Sequence, residues 1–301
     1  MAQKAINIIN VSSDVGSIYA GKSRAPAAFK ATGLQEKLKA GGSHVTESHA
    51  FRDSSIGWAA STRSPNGARN ESRTVEACHQ VCDAVAAALG NEPAFPFQLI
   101  LSGECLLAGT SKSVGIVYMD ADCDLYTPAE PGASGNIAGM TLTHMTMRDG
   151  ALQSMKTFCR PDGSGVVDNS NIVLFGLNAN SEANTRTHLG YLFDNNFRVV
   201  TSHAVQGAPQ KNAQAALQWL EERVDYIVIH LDVDVIDPGE FPLCNVPNWT
   251  GLGFEETMAA LKVFLKSEKT VALSVAEVNP DHDPQLEMTG RLVDQIVNGL
   301  R

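Results

Sequence analysis

The chain has 301 residues, is 44% hydrophobic and carries a formal net charge of -10. That size and apolar content suit one large α/β domain with a sizeable core. The acidic balance excludes partners that need a basic face, so neither nucleic acid nor an anionic membrane is expected. No apolar run approaches the ~18 residues of a membrane helix, and the first residues do not read as a basic-then-apolar leader. Six cysteines over this length suit neither a disulfide framework nor a zinc ribbon, so the reducing cytoplasm is the expected compartment.

Ala5-Ile-Asn-Ile-Ile9 reads as a first strand, followed by a Gly/Ser-rich loop over 14–25. Pro26 fits the first turn of a helix running to about Leu38. A short strand is expected over 44–51 and a polar excursion over 52–70. Residues 71–89 carry Val75, Cys78, Val81, Cys82, Val85 and Leu89 at helical spacing, which makes Cys78 and Cys82 core residues in preference to ligands. Strands are expected at 97–101, 114–119, 171–175, 197–200, 226–231 and 271–275. Helices are expected at 141–147, 209–222, 254–265 and 285–300, the second with Ala213, Ala216, Leu217 and Leu220 inward. Strands alternating with helices imply a mostly parallel sheet covered on both faces, in a single domain over 1–301.

Two acidic clusters close two of the apolar runs. Val114-Gly-Ile-Val-Tyr-Met119 ends in Asp120-Ala-Asp-Cys-Asp124, and Tyr226-Ile-Val-Ile-His-Leu231 ends in Asp232-Val-Asp234. Carboxylates two residues apart on extended backbone point to one side. Gathering them is costly unless a cation or hydrogen-bond donors compensate. One such cluster alone is commonly a solvated loop. Two at strand ends of one α/β protein suggest a shared metal site at the carboxyl edge of the sheet.

Five ordered motifs resemble those of the ureohydrolase family (arginase, agmatinase, guanidinobutyrase and formimidoylglutamase). They are Ser102-Gly-Glu-Cys-Leu106, Asp120-Ala-Asp-Cys-Asp124, Ser134-Gly-Asn136, His230-Leu-Asp-Val-Asp-Val-Ile-Asp-Pro238 and Glu277-Val-Asn-Pro280. The resemblance implies a three-layer α/β/α fold with an eight-stranded, mostly parallel sheet. It implies a two-manganese site that hydrolyses guanidino or amidino carbon–nitrogen bonds, a small-molecule substrate, and a homo-oligomer, trimer or hexamer. Cys105 and Asp122 stand where the family has its two histidine ligands, and Asp120, Asp124, Asp232 and Asp234 match its four aspartates. One metal position would then see Cys105, Asp120, Asp124 and Asp232, and the other Asp120, Asp122, Asp232 and Asp234. Ser134 and Asn136 match the substrate loop. Ser181 and Asn184 replace the acidic residues that arginases use toward the α-amino group, which argues against arginine as substrate. Glu277 would pair with the cationic end of the substrate, and Asp124 would orient the attacking water.

This donor set is more negative than the family's. It holds hard cations strongly and weakens their Lewis acidity. The all-oxygen position suits magnesium, calcium or manganese. The one with a thiolate tilts toward zinc or iron, unless Cys105 stays protonated and leaves that position empty. Two functions follow: a metal-dependent hydrolase of a non-arginine guanidino, amidino or amide compound, or a catalytically silent relative that binds a small molecule or a partner subunit. A nucleotide-binding role finds no Gly-rich phosphate loop after any strand.

His230 shares a side with Asp232; a hydrogen-bonded strand histidine is the preferred reading over a replacement ligand. His144 is expected in helix packing, and Cys123 in the core. Glu104 reads equally as a partner of Cys105 or a plain helix-start carboxylate. Trp249 is expected to pack in the loop over the site, and Asp237-Pro238 to form a turn.

Overall fold

A computed structural model describes residues 4–51, 56–90, 96–102 and 113–301. The apolar runs become eight strands: β1 (Ala5–Val11), β2 (His44–His49), β3 (Phe97–Ser102), β4 (Val114–Met119), β5 (Ile172–Leu177), β6 (Arg198–Thr201), β7 (Tyr226–Asp232) and β8 (Thr270–Ala276). They form one sheet in the order β2-β1-β3-β8-β7-β4-β5-β6, and every neighbouring pair is parallel. Continuous apolar strands are what a sheet covered on both faces requires.

The helices are α1 (Ala25–Ala31), α2 (Leu34–Ala40), α3 (Glu71–Leu89), α4 (Thr141–Thr146), α5 (Arg186–Asp194), α6 (Ser202–Val205), α7 (Pro209–Glu221), α8 (Phe254–Leu265) and α9 (Glu287–Leu300). On one face α1, α2, α7, α8 and α9 bury Phe29, Leu38, Leu220, Phe264 and Ile296 against alternate strand residues such as Leu99, Val117, Ile229 and Leu273. On the other face the intervening strand residues pack beneath α4 and α5, through Ile116, Tyr118, Leu142 and Leu192, and beneath α3, through Ile9, Ile100, Ala77 and Val81. The result is the expected α/β/α sandwich.

Three local expectations need correction. The helix expected over 26–38 is two helices, because Gly33 adopts the left-handed φ of 77° and turns the chain between α1 and α2. Helix α5 went unread because only His188 and Leu192 of its nine residues are buried, too few for a visible apolar period. The buried line of α3 runs through Thr74, Ala77 and Val81, one step round from the expected face, and leaves Cys78 and Cys82 half-buried.

Candidate functional site

The strand order decides which loops meet. In it β4, β7 and β8 are consecutive, at the middle of the sheet. Tyr118 of β4 lies opposite His230 of β7, and Asp232 at the end of β7 lies opposite Ala276 of β8. The two-residue period then stacks Tyr118 under Asp120 and His230 under Asp232, with Glu277 on the next residue past β8. A cavity of about 180 Å³ opens at these carboxyl ends, the edge where parallel α/β sheets hold their ligands. Asp120, Asp122, Asp124, Asp232, Asp234 and Glu277 all line it, with Ser134 and Asn136 of the loop after β4.

The carboxylates are individually fixed. Asp120 accepts from the Asp122 backbone N–H at 2.7 Å, and Asp232 from that of Asp234 at 2.9 Å. Asp234 accepts from the Ala121 N–H and from Asn248 Nδ2, both at 3.2 Å. Tyr118 donates its hydroxyl to Asp124 at 2.6 Å, and Ser181 donates to Asp122 at 2.7 Å. Asp124 and Glu277 both hold left-handed backbone, φ 48° and 66°; strain of this kind persists where the surroundings over-determine it, as at functional sites.

Burial and mutual repulsion push the carboxyls of Asp120, Asp124, Asp232 and Asp234 well above the usual carboxylate range. Burial raises Asp122 as well, against the Ser181 and Asn248 hydrogen bonds. This many acidic groups in one desolvated space need protons or a cation.

His230 lies among them. The imidazole is fully buried, stacked on Tyr118 with ring centroids 4.8 Å apart, and burial lowers its pKa to about 3, so it is a neutral nitrogen donor at any ordinary pH. Ligand atoms of Asp120, His230 and Asp232 all lie within 4.8 Å of one another; no other trio among the described residues does so. His230, read from the sequence as a hydrogen-bonded strand histidine, stands here as a candidate nitrogen ligand beside the two carboxylates. Two carboxylates and one imidazole fit a divalent first-row cation such as manganese. Asp122, Asp124 and Asp234 line the same cavity without joining that trio. Cys105 and Glu104 lie outside the described residues.

Sequence reasoning missed Lys22 altogether. Its ammonium reaches into the cavity and pairs with Glu277, with the side chain 2% exposed. Tyr118 and Asn248 were missed too; the only hint for Tyr118 was its position two before Asp120. Asn184, expected toward substrate, spends its amide on backbone: it accepts from the Cys123 N–H and donates to the carbonyls of Ala121 and Asn178, each at 2.8 Å. Neither it nor Ser181 reaches the cavity wall. The polar excursion around residue 60 braces the loop after β4, with Arg63 on the Ala133 carbonyl and Arg69 on that of Ser134, while Arg69 also reaches the Ser61 carbonyl. His144 packs in α4 with burial lowering its pKa to about 4. Trp249 is 66% exposed and does not pack as expected. The cavity mouth carries Ile18 and Val246.

One parallel sheet between two helical layers, with a carboxylate-lined cavity at its central strand tips, defines an α/β/α protein with a candidate cation site. The chain belongs to the arginase family, whose model matches residues 4–300. It is 28% identical to an arginase from Staphylococcus aureus (strain MRSA252) over 93% of this chain and 92% of that one. It is 26% identical to an arginase from Bacillus caldovelox, covering 92% and 91%. The fold superposes on the crystal structure of Bacillus subtilis arginase with a TM-score of 0.81 at 22% identity, covering 99% and 98% of the two chains. It superposes on Bacillus subtilis formimidoylglutamase with a TM-score of 0.70 at 17% identity, covering 99% and 87%. No helix among the described residues is long and apolar enough to cross a membrane.

Proposed function

We propose that this protein is a metal-dependent hydrolase of carbon–nitrogen bonds in a small guanidino, amidino or amide compound other than arginine. The observation that carries this is the convergence of five aspartates and Glu277 on one cavity in an arginase-family fold. A divalent cation, manganese by family likeness, would be held by Asp120, Asp232 and His230, with Asp124, Asp122 and Asp234 within the same cavity. It would supply Lewis acidity toward the water and the planar carbon of the substrate.

The remaining work falls to the chain. Asp124, oriented by Tyr118, takes the proton of the attacking water and hands it to the leaving nitrogen. Asn136 and Ser134 present polar groups on the facing loop, and the Ile18 and Val246 rim excludes water over an apolar substrate tail. Such a tail fits Ser181 and Asn184 better than an amino-acid head group would, since both are engaged with the protein itself. A homo-oligomeric, cytoplasmic enzyme completes the reading.

Protein purified without chelators and loaded with manganese is expected to release ammonia or urea from some member of a guanidino, amidino and amide panel. Asp124→Asn and Asp232→Asn are expected to abolish that release. Failure to take up manganese, zinc, iron or nickel at saturation, by elemental analysis, would end the proposal.

A further inference from the structure

The buried ammonium of Lys22 is the feature that the proposed chemistry leaves unused. Lys22 is not a stray surface lysine. Asp14, just past β1, accepts from the backbone N–H groups of Gly21 at 2.9 Å, Ser23 at 3.2 Å, and Trp58, so the loop carrying Lys22 is tied on both sides of it. Gly21 has a φ of 120°, and a Cβ there would lie 2.4 Å from Asn279 Oδ1. The absence of that carbon lets the loop lie against the segment that follows Glu277. Arg24 pairs with Asp281 on the outer side of the same contact. Inside it, Lys22 Nζ sits on Glu277 Oε1, at 2% side-chain exposure. A flexible four-carbon stem is buried only where its charge is met, and here it is met by the carboxylate best placed to receive a cationic substrate.

A guanidinium is recognised most strongly by a carboxylate that offers both oxygens to its planar fork. Lys22 occupies one of the two. A second cation brought to Glu277 would also meet the Lys22 ammonium already paired with it. A carbonyl compound of the same shape has no such conflict, because the Lys22 ammonium donates to an oxygen where it would repel an N–H group.

We propose that Lys22 is a specificity-determining residue: it satisfies Glu277 from within the chain, so the cavity takes an uncharged amide or ureide and rejects a guanidinium. This narrows the substrate class of the proposed hydrolase and rests on that reading only in using the same cavity.

The test is a binding ratio between two isosteres that differ in charge, methylurea and methylguanidinium chloride, measured by ligand-observed NMR on the manganese-loaded full chain. The wild type is expected to bind methylurea at least tenfold tighter. Lys22→Met frees Glu277 and is expected to invert the preference, Lys22→Arg to keep it, and Lys22→Met combined with Glu277→Gln to lose the acquired guanidinium binding. A purely structural lysine would not reverse a preference between isosteres. Equal or tighter binding of methylguanidinium by the wild type, an unchanged ratio in Lys22→Met, or no binding of either probe overturns the proposal. The wild-type ratio needs no variant, so a poorly folding Lys22→Met leaves the test intact. An absence of turnover with the ratio preserved would count against the hydrolase reading alone.

Discussion

Replacing Asp120 by asparagine is expected to stabilise the metal-free protein and destabilise the metal-loaded one. Asp120 is buried at 3% exposure. Its carboxyl is pushed up by burial first, then by Asp234, Asp124, Asp232 and Asp122. Its ligand oxygen and that of Asp232 lie within 4.8 Å; at an effective dielectric constant of about 20, two unit charges there repel by about 3.5 kcal/mol. The metal-free protein avoids part of this by retaining protons, so the relief available to Asp120→Asn is smaller, about 1–3 kcal/mol. Asparagine keeps the oxygen that accepts from the Asp122 N–H, so no backbone donor is orphaned. For a chain of this size that corresponds to a rise of about 2–5 °C in melting temperature. In saturating manganese the order reverses: a cation at a thousand times its dissociation constant adds about 4 kcal/mol to the wild type, and the variant lacks a ligand to hold it. Differential scanning calorimetry in EDTA and in manganese reads both signs. A variant less stable in both conditions, or more stable in both, would refute the reasoning.

Tyr118→Phe removes the donor that orients Asp124 and is expected to lower turnover about tenfold to a hundredfold with manganese uptake and the fold retained, measured by product release at saturating metal. Gly21→Ala is expected to cost about 2–5 kcal/mol in urea unfolding. Its Cβ meets an Asn279 side chain already held by Asn245 and by the Asp281 N–H, and φ 120° penalises any side chain. Metal-free stability is expected to fall as pH rises past the ordinary carboxylate range, because the raised carboxyls of Asp120, Asp124, Asp232 and Asp234 hold protons in the fold that the unfolded chain has released. His230 and His144, held neutral in the fold down to about 3 and about 4, act in the opposite sense only below about 6.5. A melting temperature that climbs from pH 6.5 to 8.5 in EDTA would contradict this.

The inner strands were legible because they are buried on both faces and read as near-continuous apolar runs, as in β3, β4 and β5. The acidic tips were legible because a period of two aims Asp120 and Asp122, or Asp232 and Asp234, the same way. Their convergence depended on strand order, which local pattern does not encode; the likeness of the five motifs carried it. His230 shows the limit most clearly. Its spacing put it beside Asp232, but only the pairing of β4 with β7, which sets it over Tyr118 and next to Asp120, groups it with both carboxylates as a candidate ligand. Lys22 was invisible for a related reason. A lysine in a Gly/Ser-rich loop reads as solvated, and its burial follows from Asp14, Gly21 and the chain near Asn279 meeting across about 250 residues of sequence. Asn184, placed by motif likeness toward substrate, has an amide engaged with the backbone of the two loops it joins, a contact that local pattern does not reveal.

The central claim is that the tips of β4 and β7 cage a cation through Asp120, Asp232 and His230. Crystals soaked in manganese and measured at an energy above its absorption edge test it most directly. The account predicts an anomalous peak within coordination distance of those three side chains, lost in Asp232→Asn. Ordered solvent without anomalous signal at that position, in protein shown to be folded and exposed to saturating metal, would contradict it.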